Sequence, residues 1–340
     1  ETVLRPARLA LLVAAASLTG LTTAAVAEPL YRLTDLGPLP GSNWSDAHSI
    51  NNAGEVIANS PTWRDLSPQG EGIWPLVVRA ARYRGGSGTI VTPDPGFTAT
   101  GFNNHGDVLG WSSSPGTAGG TFIYHRDGTA TRVDGVPVGP NTHTGALNDS
   151  GQLVWNADAG FEYGRAYVWT GGVSRPIDPP GYQRVQATGL NNSGQVIGTG
   201  LVTRPGPGGG EDLHGFLWRH GEVEDLGNLG SQFVVPFAIN DAGQVTGESN
   251  VLPGGFYDRH AFLYSDGTMH DLGTIGGPFS MGFAINAHGD VVGVSSYKPE
   301  PKAETLGVDK HAFLYGRQDD RPERRHLAGG GLDAARSDRD

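Results

Sequence analysis

No cysteine occurs among the 340 residues. Disulfides, thiolate metal sites and cysteine nucleophiles are therefore excluded, and the chain must hold its shape by packing alone. Charge is sparse: Asp, Glu, Lys and Arg make up 17% of the residues, and the formal net charge is −11. An acidic chain without clustered Lys and Arg is poorly suited to a phosphate backbone, so nucleic acid is not an expected partner. Helical periodicity is missing too. Outside the N-terminal segment no window repeats apolar residues at i, i+3, i+4 and i+7, and little helix is expected. Gly (54) and Pro (23) are abundant, which suits many short strands joined by tight turns.

Residues 1–27 read as a secretory signal peptide. Arg5 and Arg8 supply a positive start, Leu9–Ala16 an apolar stretch, and Ala25 and Ala27 the small residues that a signal peptidase requires. Ser17–Gly20 and Thr22–Thr23 dilute the apolar run below spanning length. The expectation is export to the periplasm or the extracellular space, cleavage after Ala27, and no membrane insertion thereafter. Residues 28–316 are expected to form a single, monomeric domain. From Arg317 onward, charges of both signs flank Gly329–Gly331 without apolar pattern, so 317–340 reads as a disordered polar tail.

Internal repetition is the strongest signal. An Asn-x-x-Gly turn recurs at Asn51, Asn103, Asn148, Asn191, Asn240 and Asn286, at spacings of 43 to 52 residues. An aromatic strand recurs as often, at Ala80–Tyr83, Thr121–Tyr124, Ala166–Trp169, Gly215–Trp218, Ala261–Tyr264 and Ala312–Tyr315. Each period holds two hairpins. One turns through Asn-x-x-Gly, and the other through Asp127-Gly128, Gly171-Gly172, His220-Gly221 or Asp266-Gly267, all residues that tolerate positive φ. Four antiparallel strands in about 45 residues is the size of one propeller blade. The expected fold is therefore all-β: a six-bladed β-propeller of four-stranded antiparallel blades. The last copy, Lys310–Gly316, stops before any Asp-Leu-Gly strand, whereas Tyr31–Gly37 is an orphan of that kind. The N-terminal strand (30–37) is accordingly expected to pair with the C-terminal strand (311–316), closing the ring and removing two sheet edges.

The Asp-Leu-Gly and His-Ala-Phe-Leu-Tyr strings, with Asn-x-x-Gly-x-Val-Val-Gly, resemble the bacterial HAF family of probable extracellular repeats. The resemblance runs from Leu30 to Gly316, is strong over Leu213–Ser296, and is degenerate over Trp63–Gly96. It implies export and repetition, and it carries no catalytic residues to transfer.

The recurrent polar residues take a structural reading first. His214, His260 and His311 open the same strand in three copies and would lie on separate blades, so they are read as internal to each blade rather than as metal ligands. Asp35, Asp225 and Asp271, before Leu-Gly, read as acceptors in turns or between blades. The turns at Asn103–Asp107 and Asn240–Gln244 lack the alternating acids and distal Glu of a calcium loop, so no metal is expected. Pro278–Gly282 lacks the first glycine of a nucleophile elbow, Pro205–Gly210 has no Lys-Ser/Thr, and no cofactor motif is present.

Residues that break the repeat are more informative. Five places before the turn Asn stand Asp46, Thr98, His143, Gln186, Val235 and Met281; three places before it stand His48, Thr100, Gly145, Thr188, Phe237 and Phe283. Both sets are expected near the channel, the first towards the face that carries the long, variable links. Asp46, His48 and His143 form a candidate catalytic group for proton transfer, set against a plainly hydrated channel. Trp44, Trp63, Trp74 and Trp111, outside the regular aromatic strand, together with Gln186, form a candidate ligand-binding set: indoles stack on sugar rings, though they also seal loops. Two functions follow. One is an exported binding module for a glycan or another surface polymer, and the other a secreted hydrolase or lyase at the channel mouth on the variable face.

Overall fold

The Asn-x-x-Gly sequence makes a hairpin by satisfying its own backbone. At each copy the glycine N–H donates to the Asn carbonyl, and the Asn N–H donates to the carbonyl of the residue after the glycine. This is a turn followed by a residue in the left-handed region. The glycines occupy it with φ of 73° (Gly54), 88° (Gly106), 73° (Gly151), 76° (Gly194), 80° (Gly243) and 84° (Gly289). A side chain there would be strained, so the glycine is required.

In the computed structural model, residues 36–40, 42, 45–63, 75–84, 87–92, 94, 96–112, 119–136, 142–159, 162–206, 209–231, 233–252, 258–297 and 310–316 are described. The signal segment 1–27, residues 30–35 of the expected closing strand and the tail 317–340 lie outside them.

Twenty-three strands form six antiparallel sheets among the described residues. Blade one holds β1 (Asp46–Ile50), β2 (Val56–Trp63), β3 (Pro75–Arg84) and β4 (Ser87–Ile90). Blade two holds β5 (Phe97–Phe102), β6 (Val108–Ser112), β7 (Gly120–Tyr124) and β8 (Ala130–Val133). Blade three is β9 (Thr142–Leu147), β10 (Leu153–Ala159), β11 (Glu162–Thr170) and β12 (Val173–Ile177). Blade four is β13 (Tyr182–Leu190), β14 (Val196–Thr203), β15 (Glu211–Arg219) and β16 (Glu222–Asp225). Blade five comprises β17 (Val234–Ile239), β18 (Val245–Asn250), β19 (Arg259–Ser265) and β20 (Thr268–Asp271). Blade six has three described strands, β21 (Ser280–Ile285), β22 (Val291–Ser296) and β23 (Lys310–Tyr315). The expected six-bladed propeller is the observed fold. Trp111 and Trp63, outside the aromatic strand, fall within β6 and at the end of β2: the second strands run further into the links than the repeat suggests.

Strand order is sequential in every blade, so β1, β5, β9, β13, β17 and β21 stand at one edge of their sheets. Cores form between blades rather than within them. Ile57 of blade one packs with Phe97, Ala99, Phe102 and Val108 of blade two. Leu109 and Ile123 of blade two pack with Leu147 and Leu153 of blade three. Ile197 and Leu217 of blade four meet Val245, Phe262 and Tyr264 of blade five. Each sheet is thus apolar on both faces, as required of a layer stacked between two others.

Candidate functional site

Every edge strand of this set has an irregularity at the same place, and β13 has a second between Gln183 and Gln186. Ala47 pairs with Ala58 and Ser49 with Ile57, which leaves His48 without a cross-strand partner. The same shift leaves out Thr100, Thr188, Phe237 and Phe283, and an equivalent irregularity spans Gly145 on β9. A bulge needs room on the neighbouring strand, and this explains the final glycine of Val-x-Gly. A Cβ on Gly198 would strike the carbonyl oxygen of Gln186; one on Gly247 would strike that of Val235, and one on Gly293 that of Met281. Small residues in the repeat thus make room for one bulge at this position of each inner strand, which re-aims the residue there.

The bulged strands surround a cavity of about 650 Å³. Its wall includes His48, Thr100, Gly145, Thr188 and Phe237, together with the turn residues of all six blades. This establishes that β1, β5, β9, β13, β17 and β21 are the inner strands. A volume of this size lies in the range of small-molecule sites. On blade six Ile285, Asn286 and Ala287 border the cavity, while the Phe283 ring lies 5.9 Å from that of Phe237 at 52°.

The turn asparagines form a belt around this mouth. The Asn103 amide donates to the carbonyl of Asn148, Asn148 to Asn191, Asn191 to Asn240, and Asn240 to Asn286. The same side-chain oxygens accept backbone N–H groups within their own turns, as Asn191 does from Ser193 and Gln195. A second belt lies one residue further on. The N–H of Asn52 donates to the Asn104 side chain, that of Asn104 to Asp149, of Asp149 to Asn192, and of Asn192 to Asp241. Asn-x-x-Gly is therefore both a turn and a blade-to-blade connector. Single-sequence reading found the first role and missed the second, because its partners lie about one blade away in the chain.

The catalytic candidates come together in part. His48 Nε2 stands 3.7 Å from Asp46 Oδ2, both exposed at the start of blade one. His143 pairs with Asn156 on blade three, and its side chain lies outside the described residues. Asp46 and Gln186 do not border the cavity. Of the indoles, Trp44 and Trp74 lie outside the described residues, and so does the Trp63 side chain. Trp111 is exposed and pairs with Thr98 and Thr121. Among the described residues no three His, Asp or Glu side chains gather as a metal site.

The repeated His and Asp belong to one another. His214 Nδ1 lies 2.6 Å from Asp225, and His260 Nδ1 lies 2.8 Å from Asp271, each within one blade. Asp225 also accepts from the Gly227 N–H and the Tyr182 hydroxyl, and Asp271 from the Gly273 N–H. Burial works against ionisation of Asp225, but these donors outweigh it and hold the carboxyl below its usual range. The reading as turn acceptors stands, with partners in the same blade rather than the next.

Other ionisable groups fasten blades together. Glu55, almost fully buried, is bound by Asn51 and by Arg126 of blade two; burial raises its pKa, and these partners lower it below the ordinary value. Arg82 of blade one donates to the Gly106 carbonyl of blade two. Glu248 differs. Its Oε1 is 2.9 Å from Arg259, its Oε2 is buried with no hydrogen-bond partner among the described residues, and burial pushes its pKa up against the pull of Arg259 and Lys310. The equivalent residues Asn59 and Asn156 each clamp the next blade, donating to and accepting from the backbone of Ala99 and Ala187.

These features define a six-bladed β-propeller whose lumen is bordered by bulge residues of blades one to five and by the turn residues of all six. No protein-family model matches the chain, and no curated protein matches it. Solved propellers do. The β-propeller domain of a trilobed protease from Pyrococcus furiosus, described as having an open velcro topology, is 12% identical over 81% of this chain and 81% of its own, with a TM-score of 0.49. A mutant of the Aleuria aurantia lectin, bound to Fucα1-6GlcNAc, is 12% identical over 81% of this chain and 92% of its own, with a TM-score of 0.40. A prolyl endopeptidase structure is 10% identical over 82% of this chain, which spans 42% of that protein, with a TM-score of 0.48. The neighbours thus include both binding modules and peptidases, and the likeness is one of fold.

Proposed function

We propose that this protein is an exported binding module that takes a glycan, or a comparable surface polymer, into the central channel. One observation carries the reading: a cavity of about 650 Å³ is walled by inner strands that are alike in backbone and unlike at the bulge. Phe237 offers an aromatic face, His48 and Thr100 offer hydrogen-bonding groups, and Gly145 leaves space. An apolar plate facing dispersed polar groups suits a sugar ring, which has an apolar face and a rim of hydroxyls. The leader-like residues 1–27 and the HAF resemblance support export.

A glycan array probed with the purified protein tests this. Binding is expected, and Phe237→Ala should weaken it about tenfold, in line with the loss of one stacking contact of about 1.4 kcal/mol. If no glycan binds, the ligand class is wrong. If Trp111→Ala abolishes binding while Phe237→Ala leaves it unchanged, the site lies on the variable face.

The approach of His48 to Asp46 supports a second reading, a hydrolase or lyase using Asp46, His48 and His143. Under it, Asp46→Asn would remove turnover of the bound polymer and leave binding intact. Equal turnover by that variant excludes it.

A further inference from the structure

The cavity lies towards one end of the channel. Its wall takes residues from three places before the turn asparagine to one place after it, as with His48, Asn51 and Asn52 in blade one. The residues five places before, Asp46, Thr98, Gln186, Val235 and Met281, do not border it. Its mouth on the side of the turns is therefore edged by the residue after each asparagine: Asn52, Asn104, Asp149, Asn192, Asp241 and Ala287.

Fixed charge on this wall has one sign. Among the described residues Asp149 and Asp241 are its only carboxylates, and it contains no Lys or Arg. Both are held by neutral donors. Asp149 accepts from the Asn104 N–H at 2.7 Å and from the Asn104 amide at 2.9 Å. Asp241 accepts from the Asn192 N–H at 2.9 Å and from the Asn192 amide at 3.0 Å. The two carboxylates are thus fixed in direction, while their charge is left uncompensated within the wall. The Asn104 and Asn192 amides, whose N–H groups would suit an anion, are turned onto these aspartates instead.

The architecture does not require an acid here. Asn192 accepts the Asp149 N–H at 2.8 Å, and Asn104 accepts the Asn52 N–H at 2.9 Å, so asparagine makes the same connection between blades. Blade six has Ala287 at this place and still forms its turn. The negative charge of Asp149 and Asp241 is therefore surplus to the fold and available to a ligand.

We infer that this mouth selects glycans carrying a protonated amine, with Asp149 and Asp241 as the groups that receive it. The inference rests on the channel being the glycan site, as proposed above, and adds the charge of the ligand. An ammonium group brings three N–H donors and a positive charge to carboxylates that retain free lone pairs. An N-acetylated sugar offers only neutral donors, and a uronate meets charge of its own sign. The formal net charge of −11 favours the approach of the same cationic ligands.

The test compares oligosaccharides of glucosamine, N-acetylglucosamine and galacturonate binding to the full chain at about pH 5.5, where amines are protonated and carboxylates ionised. The glucosamine oligomer is expected to bind about tenfold more tightly than its acetylated counterpart, and the galacturonate most weakly. The preference should vanish when Asp149→Asn and Asp241→Asn are combined. Those asparagines keep an acceptor for the neighbouring N–H, and His48 is common to both proteins, so the comparison isolates the two charges. Should the double variant not fold, salt decides on the unaltered protein: raising it from about 0.05 M to about 0.5 M should erase most of the preference. Equal binding of the amine and acetylated oligomers, or a preference that survives the double variant or high salt, overturns the inference and leaves the channel as a glycan site. Absence of binding to every glycan on the array overturns the channel reading itself, and the inference falls with it.

Discussion

The turn asparagine is the residue on which most of this architecture depends. Asn191 is 4% exposed; it accepts two backbone N–H groups and donates to Gln195 and to the next blade. Asn191→Ala takes this partner from the Ser193 and Gln195 N–H groups and from the Gln195 side-chain oxygen, while the Asn240 carbonyl keeps the Gly243 N–H. A loss of about 2–4 kcal/mol is expected in chemical denaturation, because buried groups left unpaired cost about 1–3 kcal/mol each and some will recruit water. Asn191→Asp should recover only part of it, since a carboxylate accepts the N–H groups but cannot donate to Asn240. Equal stability of the Ala variant would remove the belt from the account. Glu248 gives a pH-dependent prediction. Its pKa is raised on folding, so the folded state holds the proton more tightly than the unfolded chain. The penalty is therefore absent below the ordinary glutamate value of 4.5, grows as pH rises towards the folded pKa, and is constant above it. Glu248→Gln should thus be more favourable to stability at neutral pH than at pH 4, with Arg259 still resting on the Phe233 ring at 4.7 Å. Melting curves of both proteins at the two pH values check this, and a variant-minus-wild-type difference that is smaller at pH 7 than at pH 4 would contradict the sign.

At the scale of the strand, the bulge links sequence to lumen. The glycine of Val-x-Gly is required by the carbonyl it faces, so Gly198→Ala must push Gln186 away or flatten the bulge at Thr188. A loss of about 2–3 kcal/mol is expected by equilibrium unfolding, in the range for overpacking. Gly221→Ala serves for comparison: no atom lies within 4 Å of its Cβ position, and its cost is only that of a left-handed φ of 105°. If Gly198→Ala costs less than Gly221→Ala, the steric reading fails. Strand ends at the hairpins were legible because hairpins are local, and the Asp-Gly and Asn-x-x-Gly turns announce themselves; the ends at the long links, as at Trp63 and Trp111, were not. The bulge was not. Three positions before Asn could be tabulated as His48, Thr100, Gly145, Thr188, Phe237 and Phe283, but their lack of a partner emerges only once Ala47 and Ser49 are paired across the sheet.

At the scale of the molecule, stability resides between blades, in apolar layers such as Ile57 against Phe97 and in polar fasteners such as Glu55 with Arg126. Arg126→Ala should destabilise by about 1–3 kcal/mol, since it leaves a buried carboxylate with the Asn51 amide as its donor and only the longer-range charge of Arg82 to offset it. Thermal unfolding at low and high salt would measure it, with a small salt dependence expected for a carboxylate that is 3% exposed.

The sequence by itself determined the number of blades, their turns and the pairing of strands within each, because those contacts join residues near one another in the chain and are written in glycine, asparagine and alternating apolar positions. Only the tertiary structure decided which side chains share the lumen, which asparagine reaches which neighbour, and that His214 meets Asp225 within its own blade. Such contacts join residues that the chain separates and the stacking of blades reunites. Their geometry depends on the register of whole sheets, to which no single residue holds the key.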